Sequence, residues 1–261
     1  MLDVWGVVDS LLHDTSPITL TASRICAINA FIFGQNSLFS CLIRIFFVLL
    51  RRFLINHHKG MLFESQLHDL KSMFPWQVTR KKKQAIRALV EQKRRIYPHE
   101  QAKADSEAVM ARLEQLPLFK EAQTIMIYYP IHNEVDLRPL LQRYEGQKTF
   151  LLPVTHRRYI EPRQYLGEEM MQRGNYQIPE PQTSEYKGKI DLILVPGVAF
   201  DLKCNRIGRG AGFYDRFLRK HKKTIQIGVA YDFQIKKHEL PQSFRDHPLN
   251  GVITPSQSIG L

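Results

Sequence analysis

The chain has 261 residues, a formal net charge of +12 and 24% charged residues, long enough for a sizeable core and ordinary in composition for a folded globular protein. Its three cysteines, Cys26, Cys41 and Cys204, show no paired spacing and no CxxC, so neither a disulfide framework nor a zinc site is indicated and a reducing, cytoplasmic setting is the default. The positive charge is compatible with nucleic acid, an anionic membrane surface or small polyanions such as nucleotides and polyglutamates, and does not choose among them.

The first sixty residues are apolar and poor in charge. The run from Leu38 to Leu50 (LFSCLIRIFFVLL) is interrupted by Arg44 and falls short of the roughly twenty apolar residues a spanning helix needs. It also sits too far from the start, with no small-residue cleavage site in place, to read as a signal peptide. Three readings stay open: a membrane-surface helix, a packed extension, or upstream sequence added by a misassigned start codon, with Met61 and Met73 as the alternative starts.

From Arg80 the pattern becomes helical. The basic run RKKKQAIRALVEQKRR carries Ile86, Leu89 and Val90 as an expected apolar stripe. Pro98 ends it, and a second helix is expected from about His99 to Leu116 with Ala108, Val109 and Leu113 inward. Apolar runs follow at Thr124 to Tyr129, Lys148 to Val154, Ile190 to Val195, Thr224 to Ala230 and Gly251 to Thr254, which read as buried parallel strands. Helical stretches at Asp136 to Tyr144 and Gly212 to Lys220 lie between them. Such alternation predicts a single α/β domain with a mostly parallel sheet flanked by helices, a Rossmann-like three-layer architecture.

The segment PGVAFDLKCNRIGRGAGFYDR, Pro196 to Arg216, follows the strongest strand signal and runs into a helix, where open α/β sheets place ligands. Gly208, Gly210 and Gly212 alternate with Arg209 and Ala211, so that backbone N–H groups can converge at a helix start. That is a nest for an anion, reinforced by the helix dipole and by Arg206 and Arg209. The spacing matches neither the Walker A loop nor GxGxxG.

The string RIGRGAGFYDR, preceded by PGVAFD, resembles the signature of the 5-formyltetrahydrofolate cyclo-ligase family. Three shorter matches fall in the family's order: KQAIR at Lys83 to Arg87, Asn133-Glu134-Val135, and YQIPEP at Tyr176 to Pro181, where Gln177 stands in place of a frequent glycine. The resemblance spans about Arg80 to Thr254. It divides the chain into an extension (1–73), a catalytic domain (74–257) and a short tail (258–261).

The resemblance implies an ATP- and magnesium-dependent conversion of 5-formyltetrahydrofolate, or its polyglutamates, to 5,10-methenyltetrahydrofolate with release of ADP and phosphate. A formyl oxygen leaves poorly until it is phosphorylated, so an imidate phosphate intermediate is expected, and such a transfer needs positioning and charge neutralisation more than a side-chain nucleophile. Residue by residue, the resemblance assigns ATP to Lys83, Arg87, Arg206, Ile207, Gly208, Arg209, Gly210, Ala211, Gly212, Phe213 and Tyr214. Folate goes to Glu134, Arg209 and Tyr214, with Arg209 and Tyr214 as the catalytic pair, and magnesium goes to Asp215. Asn250 occupies a position where the family tends to have a second acid, and a neutral carbonyl oxygen there offers a hard cation less. The bland readings are a Gly-rich turn, a solvated basic helix face, core aromatics and a helix-start acid favoured by the dipole. A monomer without nucleic-acid or firm membrane partners is expected; the basic helix brings no known nucleic-acid motif with it. An isomerase of sugar phosphates on a related scaffold would share the phosphate cradle but not the need for ATP.

Overall fold

The structure, a computed structural model, describes residues 75–261 except positions 158 and 175; the expectations placed on the N-terminal extension lie outside these residues. The chain opens with α1 (Pro75–Arg95), α2 (His99–Gln115) and α3 (Pro117–Glu121), then β1 (Thr124–Met126), α4 (Arg138–Arg143), β2 (Thr149–Thr155), β3 (Ile160–Gln164), β4 (Met171–Arg173) and β5 (Pro179–Pro181). The second half holds β6 (Leu192–Pro196), β7 (Ala199–Asp201), β8 (Arg206–Ile207), α5 (Phe213–Lys220), β9 (Ile225–Val229), β10 (Ile235–Lys236), β11 (Gly251–Ile253) and β12 (Ser258–Ile259). Proline punctuates the helices as its missing N–H and fixed φ require: Pro98 sits at the N-cap of α2 with φ −60°, and Pro117 occupies the first turn of α3.

The main sheet has the order β12-β11-β9-β6-β1-β2-β3, and its five central strands are parallel. These are the five apolar runs of the sequence. Alternate residues of each strand serve opposite faces. Ile125, Leu192, Leu194, Ile227 and Val229 pack with Val109, Met110 and Leu113 of α2, whereas Met126, Ile193, Val195 and Val252 pack with Phe217 and Leu218 of α5. Burial on both faces is the physical reason the strands read as continuous apolar runs, and it makes the domain three-layered.

Two edge strands run antiparallel, β3 against β2 and β12 against β11. Pro162 lies in β3, where an edge position tolerates a missing donor. A small sheet, β10-β7-β8, packs Val198, Ala199 and Ile207 against Val90 of α1 and Leu240.

One expectation fails at α1. Leu89 is 61% exposed, because the inward face of the helix runs through Lys83, Arg87, Val90 and Arg94, spaced at i, i+4, i+7 and i+11. Lys83, Val90 and Arg94 are buried and Arg87 is half-buried. The helix therefore turns cations inward, and the sheet direction explains why: that face meets the loops at the carboxyl ends of β1 and β6.

Candidate active site

Strand β1 pairs with β2 on one side and β6 on the other. The chain order thus reverses between β1 and β6, and the loops leaving their carboxyl ends bound a crevice of the kind that receives ligands in open α/β sheets. The β1 loop carries Glu134. The β6 connection carries the β7–β8 hairpin and, between it and α5, the glycine segment.

That hairpin is shaped by Asp201, the acid of PGVAFD. It is 1% exposed, and its two oxygens accept from the backbone N–H groups of Lys203, Asn205 and Leu240 and from Asn205 Nδ2, at 2.8–2.9 Å. A buried carboxylate spent on four donors is a structural staple. Beyond it, Gly210 (φ 114°) and Gly212 (φ 69°) adopt backbone conformations that favour glycine. Gly212 is the N-cap of α5 with no side-chain cap among the described residues, so the first N–H groups of the helix stay open to an anion.

Cations surround this loop. Arg87 Nε donates to the Gly208 carbonyl at 2.7 Å, and its guanidinium lies beside Gly210. Burial pulls Arg87 below its ordinary pKa, while the carboxylates of Asp246 and then Asp215 favour its charge. Lys83 is buried and paired with Asp246, which also accepts from the Ser243 N–H. Arg206 is 4% exposed; Nη1 donates to the Pro196 carbonyl at 3.2 Å and Nη2 to Asp215 Oδ1 at 2.9 Å.

Across the crevice Glu134 Oε1 accepts from Arg209 Nη2 at 2.9 Å, and Oε2 faces the Ile131 N–H at 3.3 Å. The Glu134 side chain is 8% exposed and that of Arg209 41%. The phenols of Tyr128 and Tyr214 share this spot. Burial first, then the charge of Glu134, pushes both hydroxyls above their ordinary range, and the cation of Arg206 opposes the shift at Tyr214. A cleft of about 510 Å³ opens beside the loop, lined by Arg157, Tyr176, Ala211, Phe213 and Arg216. Tyr176 and Phe213 meet edge to face at 6.2 Å, and the Arg216 guanidinium lies 5.3 Å over Phe213.

The structure therefore gathers Lys83, Arg87, Arg206, Gly208, Arg209, Gly210, Gly212, Tyr214, Asp215 and Glu134 around one crevice, with Ala211 and Phe213 on its flank. Ile207 points its side chain into the core with Val90 and Leu240, which leaves only its backbone for a ligand. Asn250 stands apart. Its Oδ1 accepts from Gln226 N–H at 2.8 Å, and the Gln226 side chain caps the carbonyls of Leu218 and His221 at the far end of α5. Asp215 lies in the first turn of that helix, about 5–9 Å of helix away from those carbonyls. Asp246 is the acid that shares the Arg87 environment with Asp215, and nothing in the sequence pattern marked it. Among the described residues no three histidine, cysteine or acidic side chains cluster as a metal site. Two separate carboxylates suit magnesium, which binds one or two protein acids together with substrate phosphates.

A model of the 5-formyltetrahydrofolate cyclo-ligase family matches residues 79–255. The chain is 30% identical over 179 residues to the 5-formyltetrahydrofolate cyclo-ligase of Escherichia coli K12, covering 65% of this chain and 98% of that protein. It is 33% identical over 144 residues to the Haemophilus influenzae enzyme of the same name, covering 51% of this chain and 76% of that one. Among solved structures, the 5,10-methenyltetrahydrofolate synthetase of Aquifex aeolicus superimposes with a TM-score of 0.62 at 35% identity, covering 68% of this chain and 91% of that one. With the glycine loop, the crevice carboxylate and the doubly covered parallel sheet all in place, this chain belongs to the 5-formyltetrahydrofolate cyclo-ligase family.

Proposed function

We propose that the protein uses ATP and magnesium to convert 5-formyltetrahydrofolate to 5,10-methenyltetrahydrofolate, releasing ADP and phosphate. The observation that carries this reading is the 2.9 Å contact between Arg209 and Glu134, which brings an anion-binding loop against a nearly buried carboxylate suited to pterin N–H groups.

In this reading the N–H groups of the Gly208 to Gly212 loop, with Lys83, Arg87 and Arg209, hold the triphosphate. Glu134 accepts hydrogen bonds from the pterin, and Tyr214 lies along the ring with Tyr176 and Phe213 on the open side. The formyl oxygen attacks the γ-phosphorus and ADP departs, leaving an imidate phosphate. N10 then attacks the activated carbon, loses its proton, and phosphate leaves as the ring closes. Arg209 and the loop N–H groups meet the charge that develops on the transferred phosphoryl, which is where such donors contribute most. Asp215 and Asp246 would hold magnesium, which would supply neutralising charge at the phosphate oxygens.

Residues 74–257 are sufficient for this activity, as a monomer, and the free, buried Cys204 suits a cytoplasmic setting. ADP release measured with 5-formyltetrahydrofolate and with tetrahydrofolate lacking the formyl group tests the reading. ADP is expected only with the formyl compound, and equal release with both would overturn it.

A further inference from the structure

Arg94 heads the fully buried side chains by size, at 1% exposure, and lies two turns beyond Arg87 on the inward face of α1. Its Nη2 donates to the carbonyl of Gly197, the residue after β6, at 3.1 Å, and its Nη1 lies 3.7 Å from Glu134 Oε1. The reciprocal link runs through Asn133, whose Nδ2 donates to the carbonyls of Arg94 and Tyr97 at 3.3 and 3.2 Å. Both His132 (φ 48°) and Asn133 (φ 58°) hold the left-handed conformation, so the loop that carries Glu134 is bent tightly onto the end of α1.

Glu134 thus has two arginines with different surroundings. Arg209 is half out in solvent on the glycine loop, and a phosphoryl group arriving there competes for its guanidinium. Once Arg209 turns to phosphate, Glu134 is left as a nearly buried carboxylate, a state that is costly without a counter-charge. Arg94 is the cation that stays. Its Nε and Nη1 have no hydrogen-bond partner among the described residues, so donors remain for the carboxylate to move onto. Burial lowers the Arg94 pKa and Glu134 is the largest influence restoring its charge.

We propose that Arg94 is a positioning residue that holds Glu134 by its guanidinium and directs it into the crevice while Arg209 serves the phosphoryl group. This rests on the folate role given to Glu134 above. The competing account is that Arg94 only pins the Gly197 carbonyl.

The test measures binding of 5-formyltetrahydrofolate in the presence of a non-hydrolysable ATP analogue, and of the analogue alone, to Arg94→Met, Arg94→Lys, Glu134→Gln and the double variant Arg94→Met/Glu134→Gln. Removing the charge in Arg94→Met should weaken folate binding by about tenfold or more while analogue binding stays within about twofold, because it leaves one partner of a buried pair alone. Arg94→Lys should recover most of the loss. In the Glu134→Gln background Arg94→Met should add less than about threefold, the non-additivity of a coupled pair. Parallel loss of both ligands, additive losses, or undiminished folate binding by Arg94→Met would each overturn the proposal. If Arg94→Met does not fold, Arg94→Gln replaces it, and equal folate affinities for Arg94→Lys and Arg94→Gln would overturn the proposal. A Glu134→Gln protein that binds folate normally removes the assignment of Glu134 itself, which is a different failure from loss in Glu134→Gln without loss in Arg94→Met.

Discussion

Arg209 and Glu134, separated by 75 positions in the chain, meet at 2.9 Å across the point where strand order reverses between β1 and β6. The contact joins the two halves of the crevice, and its two residues come from separate motifs of the sequence.

Arg209→Ala should lower kcat/KM by about a hundredfold or more, in line with removal of other donors to developing charge. The side chain is 41% exposed, so its ion pair with Glu134 contributes at most about 1 kcal/mol to folding. Steady-state kinetics beside a melting curve checks both. Arg209→Lys should also fail, since a point charge cannot reproduce the planar fork that meets phosphoryl oxygens.

Asp215→Asn should raise the magnesium concentration needed for turnover. It should also lower stability by about 1–3 kcal/mol, because the buried Arg206 loses its charged acceptor. Asp246→Asn is expected to raise the magnesium requirement too, while Asn250→Asp should leave it unchanged, given its place at the opposite end of α5. A magnesium titration of the three proteins decides this; a reduced requirement in Asn250→Asp would put that side chain back beside the ion.

Gln177 holds φ 59° in the turn between β4 and β5, where its N–H reaches the Gly174 carbonyl at 3.0 Å and Gly174 N–H reaches Ile178 at 2.9 Å. The left-handed conformation costs a side chain about 1–2 kcal/mol, and glycine's greater freedom in the unfolded chain gives back about 0.5–1 kcal/mol of that. Gln177→Gly should therefore raise Tm by a net stabilisation of about 0.5–1 kcal/mol. A lower Tm would mean that the Gln177 side chain makes a stabilising contact.

A protein beginning at Met73 should fold and turn over as the full chain does, since every crevice residue lies between Lys83 and Asp246. Loss of activity in that truncation would move the domain boundary. If the extension is a membrane-surface helix, the full chain should bind anionic vesicles and the truncation should not.

The parallel strands and the glycine loop were legible because their physics is local. Strands covered on both faces spell uninterrupted apolar runs, and a backbone nest needs glycine at fixed spacing. Arg94 was hidden for the opposite reason. Within RKKKQAIRALVEQKRR every cation looks solvated, and only the 83-87-90-94 spacing hints that the inward face is charged and that Leu89 must point out. The edge strand β3 alternates only through Ile160 and Pro162, and a proline in the middle of so short a run argues against a strand. Asn250 was carried over from the position where the family tends to have a second acid, whereas Asp246, four residues earlier, is the acid that tertiary packing brings to Lys83 and Arg87.

The most direct measurement is the near-ultraviolet absorbance of methenyltetrahydrofolate, which the formyl substrate lacks, followed as the protein is mixed with 5-formyltetrahydrofolate and magnesium, with and without ATP. The account predicts a rise in absorbance that requires ATP and is accompanied by an equal amount of ADP. Absorbance that does not rise with ATP present, or that rises equally without it, would contradict it.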